Sequence, residues 1–238
     1  MLKGFGAVVV FSFLTTSFIN AQTIDTLVDM GSHTLHFNIL PGTGTPILFE
    51  AGNGDDGSVW SEILHPIHDA TGATLITYDR AGLGKSSMDT TSINFRQEIS
   101  DLESALQQLG FDQGLFVVCH SFGAFYTTAF ANQSQNKITG AVFIDPALPC
   151  FFTKEWSTQF MNDISVENWD LIKQYKPGLY YVLQDLDGIA EDMAEVPFPD
   201  DVSLTVVAAE LLLPMVKAHE AGQWRVCLKS FGAQPNRK

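Results

Sequence analysis

Basic residues are scarce in this chain. Thirteen Lys and Arg stand against 27 Asp and Glu over 238 residues, for a net charge of −14. A protein that grips nucleic acid through its phosphates needs a basic face, so no nucleic-acid partner is expected. Docking on anionic lipid is disfavoured for the same reason, and the plainest meaning of the acidic surplus is solubility. Cysteine is also scarce: Cys119, Cys150 and Cys227 are too few for a disulfide scaffold and show no C-x-x-C spacing, which argues against zinc or dithiol chemistry. One bridge between Cys150 and Cys227 fits an oxidising compartment, and two free thiols fit the sequence equally. Internal repeats, low-complexity tracts and long linkers are missing.

Long apolar runs are missing too, apart from the start of the chain. Residues 1–21 read as a secretory signal peptide, with Lys3 as the positive start, an apolar stretch from Ala7 to Phe18, and Ala21 as the small residue before Gln22. That stretch is shorter than the about 20 residues a transmembrane helix needs, so no stable membrane span is expected after cleavage. The expected location is secreted or periplasmic. Removal of the segment takes Lys3 with it and leaves 12 basic against 27 acidic residues, or −15. Residues 22–238 then suffice for one domain with a sizeable core.

What is present is an alternation of strand-like and helix-like segments. A first hairpin is expected from Thr23–Met30 and His33–Leu40, turning at Gly31-Ser32. Apolar runs follow at Pro46–Phe49, Ala73–Tyr78, Leu115–Cys119, Ile138–Ile144 and Ser203–Ala209. Between them Asn94–Leu109 has the helical period, with Ile99, Leu102, Leu106 and Leu109 on one stripe, Asn94 as cap and Gly110 as terminator. Alternation of this kind implies a mostly parallel sheet with helices on both faces. The rhythm changes over residues 150–196, which carry short helical patterns, no clear strand, and many aromatics, among them Phe151, Phe152, Trp156 and Trp169.

The most informative stretch is Leu115–Ala124, where a buried strand runs into Cys119-His120-Ser121-Phe122-Gly123 and then a helix. A serine at the point of a tight strand-to-helix turn is the layout of a nucleophile elbow. Gly123 fills the second glycine position of G-x-S-x-G, and Cys119 stands where the first glycine is usual. Upstream lie the glycine-rich loop Ala51-Gly52-Asn53-Gly54 and the block Tyr78-Asp79-Arg80-Ala81-Gly82-Leu83-Gly84-Lys85-Ser86. Downstream lies Ile144-Asp145-Pro146.

Taken in order, these motifs resemble the α/β-hydrolase superfamily over roughly residues 23–238. The resemblance implies an α/β fold with a helical cap at residues 150–196 and a small-molecule substrate, with no metal or organic cofactor. It implies Ser121 as nucleophile, and an oxyanion hole from the backbone amides of Phe122 and Asn53. The triad acid is implied at Asp145, after the sixth strand, or at Glu210, after the seventh. Ester hydrolysis through an acyl-enzyme is the expected reaction, and the aromatics of the cap suit an apolar acyl group. The serine argues against a haloalkane dehalogenase, whose elbow carries aspartate. The tail departs from the family. An eighth strand and a histidine-bearing loop are expected, yet the only histidine after Ser121 is His219, in a segment that reads as helix, and the sequence stops at Lys238. Two readings follow: a serine hydrolase whose sequence here is incomplete, or an inactive relative that binds a ligand or partner.

Overall fold

The computed structural model describes residues 22–134, 137–209 and 218–232. The segment read as a signal peptide lies outside the described residues. Seven strands form one sheet: β1 (Ile24–Asp29), β2 (Thr34–Leu40), β3 (Gly44–Glu50), β4 (Ala73–Asp79), β5 (Leu115–His120), β6 (Ile138–Ile144) and β7 (Ser203–Val207). Their order is β1-β2-β4-β3-β5-β6-β7. The expected hairpin is β1–β2, paired Ile24↔Ile39 to Asp29↔Thr34, and Gly31 takes φ 89° at its turn. β2 meets β4 antiparallel, and every later pairing is parallel. All seven residues of β4 are buried, as an apolar strand covered on both faces must be.

Helices cover both faces. On one lies α1 (Ser61–Thr71), whose Leu64 and Ile67 pack on Phe49 and Leu75. On the other lie α2 (Phe95–Gln108) and α3 (Gly123–Gln133), which close the larger core around Ile76, Val117 and Phe143. α2 starts where its cap predicts: Asn94 Oδ1 accepts the Gln97 amide at 3.0 Å. Its stripe of Ile99, Leu102 and Leu106 is buried, and Gly110 past its end has φ 80°.

Between β6 and β7 the chain inserts α4 (Lys154–Asn162), α5 (Val166–Tyr175), α6 (Pro177–Gln184) and α7 (Leu186–Met193). Local chemistry starts three of them. Thr153 and Ser165 accept the amides of Trp156 and Asn168, and Pro177 opens α6 with its φ already set. α7 buries Leu186, Ile189 and Met193 against the body. Asp187 accepts hydroxyl bonds from Ser157 and Thr158 of α4, tying the first helix of the insertion to the last.

The last described helix, α8 (Ala218–Gly232), is fixed in three ways. Trp224 Nε1 donates to the Pro146 carbonyl at 3.3 Å, Phe231 stacks on Phe143 with centroids 6.4 Å apart, and Cys227 is bridged to Cys150 with Cα atoms 5.7 Å apart. The bridge left open by the sequence is therefore formed. It closes a loop spanning 77 positions, so in the chain-entropy account it is worth about 4 kcal/mol. Replacing both cysteines with serine is expected to lower unfolding free energy by about 2 to 4 kcal/mol, read as a lower urea midpoint. Equal midpoints for wild type and double variant would contradict this.

Candidate active site

The five parallel strands send their C-terminal ends to one edge of the sheet, where α/β folds collect their functional loops. The registers Glu50↔Cys119 and His120↔Ile144 set the loop after β3, the turn after β5 and the loop after β6 side by side. Ser121 stands at the middle of the three. Its φ is 51°, in the left-handed region, which costs a non-glycine residue of order 1–2 kcal/mol. The backbone around it holds the strain: Ser121 N donates to Ile144 O at 3.0 Å, and Ser121 O accepts the amides of Ala124 and Ala147 at 3.1 and 2.9 Å. Phe122 follows as the N-cap of α3, so its amide lies at the positive end of that helix.

The close fit explains the second glycine of the motif. A Cβ built on Gly123 would stand 2.7 Å from the Ala51 carbonyl oxygen and 2.8 Å from that of Glu50. The elbow and the loop after β3 thus touch backbone to backbone. The first glycine position is less restricted. Cys119 is fully buried within β5, beside Thr127 of α3, and burial pushes its thiol well up out of the reactive range. His120, on the opposite face, lays its ring against Gly52 of the loop after β3.

Asn53 sits in that loop between Gly52 and Gly54, and its side-chain oxygen is buried without a partner. The loop is held through its main chain instead. Arg80 Nη1 donates to Ala51 O at 2.9 Å and Nη2 to Gly52 O at 2.5 Å, while Lys176, at the start of α6, donates to Gly54 O at 2.6 Å. Arg80 itself is 4% exposed. It pairs with Glu50 at 2.6 Å, and its guanidinium lies 4.5 Å above the Tyr126 ring. Tyr78 donates its hydroxyl to the other Glu50 oxygen, and Tyr126 donates to Glu98 at 2.6 Å. Burial works against the charge of Arg80, but Glu50, with Tyr126, Tyr78 and Glu98, pushes its pKa up, so it stays a cation. Burial also raises Glu50, against the pull of Arg80.

Glu98 is raised to about 7, chiefly by burial, with Arg80 and the Tyr126 hydroxyl pulling the other way. A raised carboxyl binds its proton more tightly in the folded chain than in the unfolded one. Its contribution to stability is therefore complete below about pH 4.5 and is lost as pH rises through about 7, on the order of 3 kcal/mol in all. Glu98→Gln keeps an acceptor for Tyr126 and is expected to flatten this fall, measured as urea midpoints at about pH 5 and about pH 8. An unchanged slope would remove Glu98 as its source.

Asp145 follows β6 with φ 44°, and one of its carboxylate oxygens accepts the Ala209 amide at 2.5 Å. It stands on the same edge as Ser121 and anchors the chain leaving β7. Glu210, the other candidate acid, lies outside the described residues, as does the side chain of His219. The two candidate oxyanion residues do flank the elbow, Phe122 within it and Asn53 in the loop that abuts it. Sequence reading took Tyr78-Asp79-Arg80 only as a signature and missed that Arg80 grips the Asn53 loop. The one available signal was a glutamate, Glu50, closing an otherwise apolar strand.

The insertion packs on the core side of the elbow and α3 through aromatics. Phe152 lies 5.6 Å from Phe122 and 5.7 Å from Phe125, and contacts Trp156 at 4.2 Å, which stacks on Phe160 at 5.2 Å. A groove of about 960 Å³ between α4 and α8 is lined by Phe151, Trp156, Gln159 and Val226. Its lining does not include Ser121. The elbow and its adjoining loops are the candidate site. Among the described residues no group of side chains is arranged to hold a metal ion, and no helix is long and apolar enough to cross a membrane.

The sheet order, the elbow and the adjoining loops agree with a family match. The model of the alpha/beta hydrolase fold family matches residues 45–224, and the chain belongs to that family. YqjL of Bacillus subtilis strain 168 is 36% identical over 116 residues, which are 49% of this chain and 44% of that protein, so the match spans less than half of that relative's length. Among solved structures, ALR0039 from Nostoc sp PCC 7120 superposes with a TM-score of 0.64 at 16% identity, covering 88% of each chain. The haloalkane dehalogenase DatA from Agrobacterium tumefaciens C58 superposes with 0.60 at 13% identity, covering 91% of this chain and 87% of its own. At such identities these likenesses speak for the fold.

Proposed function

We propose that this chain is a serine hydrolase that cleaves carboxylic esters of small molecules through an acyl-enzyme at Ser121. The observation that carries the reading is the position of Ser121, held at φ 51° at the strand-to-helix turn by three backbone hydrogen bonds. Strain of this size persists only where the surroundings impose it, and it clusters at functional sites. In this reading the Ser121 hydroxyl attacks the ester carbonyl carbon, its proton passes to a base, and the negative oxygen that forms is met by the amides of Phe122 and Asn53. The base hands that proton to the departing alcohol, which leaves an acyl-serine; water, giving a proton to the same base, then attacks the acyl carbon, and the proton returns to Ser121 as the acid is released. The carboxylate that supports the base is drawn from Asp145 and Glu210.

Serine at the elbow argues against a dehalogenase reaction, for which the family resemblance implies aspartate at that position. The less buried aromatics Phe152, Trp156 and Phe160 of the insertion support an apolar acyl group, with the four-helix insertion as its cap. The bridge Cys150–Cys227 supports an oxidising location, in keeping with residues 1–21 as a secretory signal. The test is turnover of p-nitrophenyl esters of increasing acyl length. Turnover that depends on Ser121 and rises with acyl length supports the reading. Turnover that survives loss of the hydroxyl overturns it, and a ligand that raises Tm without any turnover would point to a binding protein instead.

A further inference from the structure

Resting on that serine-hydrolase reading, we propose that Arg80 is a positioning residue that fixes the direction of the Asn53 amide and so sets the oxyanion hole. The argument is one of peptide geometry. In a trans peptide the carbonyl of one residue and the N–H of the next point to opposite sides of the chain. The Gly52 carbonyl accepts from Arg80 Nη2 at 2.5 Å and from the Asp55 amide at 3.3 Å. With that carbonyl turned toward the guanidinium, the Asn53 N–H is turned away from it. The Ala51 carbonyl accepts from Arg80 Nη1 at 2.9 Å, which orients the preceding peptide in the same manner. A flip of the Gly52–Asn53 peptide would break two hydrogen bonds and leave an arginine donor unpaired in the interior, where an unmet donor costs about 1–3 kcal/mol or more when charged.

The Gly52 carbonyl's other donor, the Asp55 amide, belongs to the same loop and is more distant at 3.3 Å, so the hold from outside the loop is that of Arg80. The Asn53 side-chain oxygen makes no hydrogen bond that would hold the loop. Lys176 reaches the loop on its far side, at the Gly54 carbonyl, which belongs to a different peptide. Arg80 is placed to act because it cannot move: Glu50 holds Nη1 at 2.6 Å, Tyr78 holds Glu50, and the guanidinium rests on the Tyr126 ring. Lysine offers a single ammonium in place of a rigid fork of donors, so it keeps the charge but cannot serve Glu50 and two carbonyls in this geometry.

The experiment compares wild type, Arg80→Lys and Arg80→Gln with p-nitrophenyl acetate, each rate divided by the concentration of sites titrated with a fluorophosphonate, and Ser121→Ala, which has no site to titrate, per mole of folded protein. Loss of one oxyanion donor typically costs about 100-fold or more in kcat. Arg80→Lys is expected to lose about 100-fold in kcat per titrated site with KM within a few-fold, since the donor acts on the charge of the transition state. Arg80→Gln, shorter, uncharged and left with one amide donor group, is expected to lose at least as much and serves in its place if the lysine variant does not fold. A purely structural role would lower Tm and the number of titratable sites but leave kcat per site unchanged, and that result would overturn the proposal. The two readings fail separately. If Ser121→Ala abolishes turnover while both Arg80 variants keep wild-type kcat per site, only the role of Arg80 falls; if turnover does not depend on Ser121, the hydrolase reading falls with it.

Discussion

Ser121→Ala is expected to remove ester turnover by about 10⁴-fold or more while leaving the fold in place. The first half follows from chemistry, because alanine has no oxygen to form the acyl bond. The second half follows from the structure. The hydrogen bonds that hold residue 121 run through its main chain, to Ile144, Ala124 and Ala147, and alanine keeps all of them. Alanine also inherits the cost of φ 51°, so Tm should change by only a few degrees. Ser121→Gly sharpens the test. Glycine accepts positive φ freely, so this variant is expected to be inactive and yet more stable than wild type by about 1 kcal/mol. A nucleophile that gains stability when it is removed would show the turn to be strained for function. An unchanged or lower stability would mean that the serine side chain contributes to folding and is not merely tolerated there.

Gly123→Ala is expected to damage both stability and activity, although it adds a single methyl group. The atoms it would meet, at 2.7 and 2.8 Å, are the carbonyl oxygens of Ala51 and Glu50. These cannot swing aside as the end of a flexible side chain could. Either α3 shifts outward or the loop after β3 shifts away, and overpacking of this kind costs about 1–3 kcal/mol. Movement of the loop would also displace Asn53 from the elbow, and small displacements of positioned groups can cost about 100-fold in rate. The expected result is a lower urea midpoint with kcat reduced about 100-fold in the protein that remains folded. A variant with wild-type midpoint and wild-type kcat would mean that the elbow and the loop are not in contact as described.

Much of the framework was legible because its signals are local. The alternation of Leu115–Cys119 with the small-residue turn, the Asn94 cap, and Gly31 at the first hairpin each name their structure within a few residues, and each is found in place. The insertion was legible only as short helical patterns without a clear strand; its division into four helices, three of them started by Thr153, Ser165 and Pro177, comes from the structure. What stayed hidden depends on residues far apart in the chain. Arg80 meets Ala51 and Gly52 only because β4 pairs with β3, and the pairing of Cys150 with Cys227 requires α8 to fold back on the entry to the insertion. The end of β7 shows the same effect on a smaller scale. Apolar pattern carries the strand to Ala209, but it stops at Val207, where Asp145 donates its amide to the Val207 carbonyl and then captures the Ala209 amide with its carboxylate. No periodicity encodes that exchange.

The central claim is that a covalent intermediate forms on Ser121. The most direct measurement is to quench the protein in acid during turnover of p-nitrophenyl acetate and locate added acetyl groups by peptide mass spectrometry. The account predicts one acetyl group, on the peptide that contains Ser121, absent from Ser121→Ala and lost again on further incubation as water completes the cycle. Turnover with Ser121 unmodified, or an acetyl group that appears equally in Ser121→Ala, would contradict it.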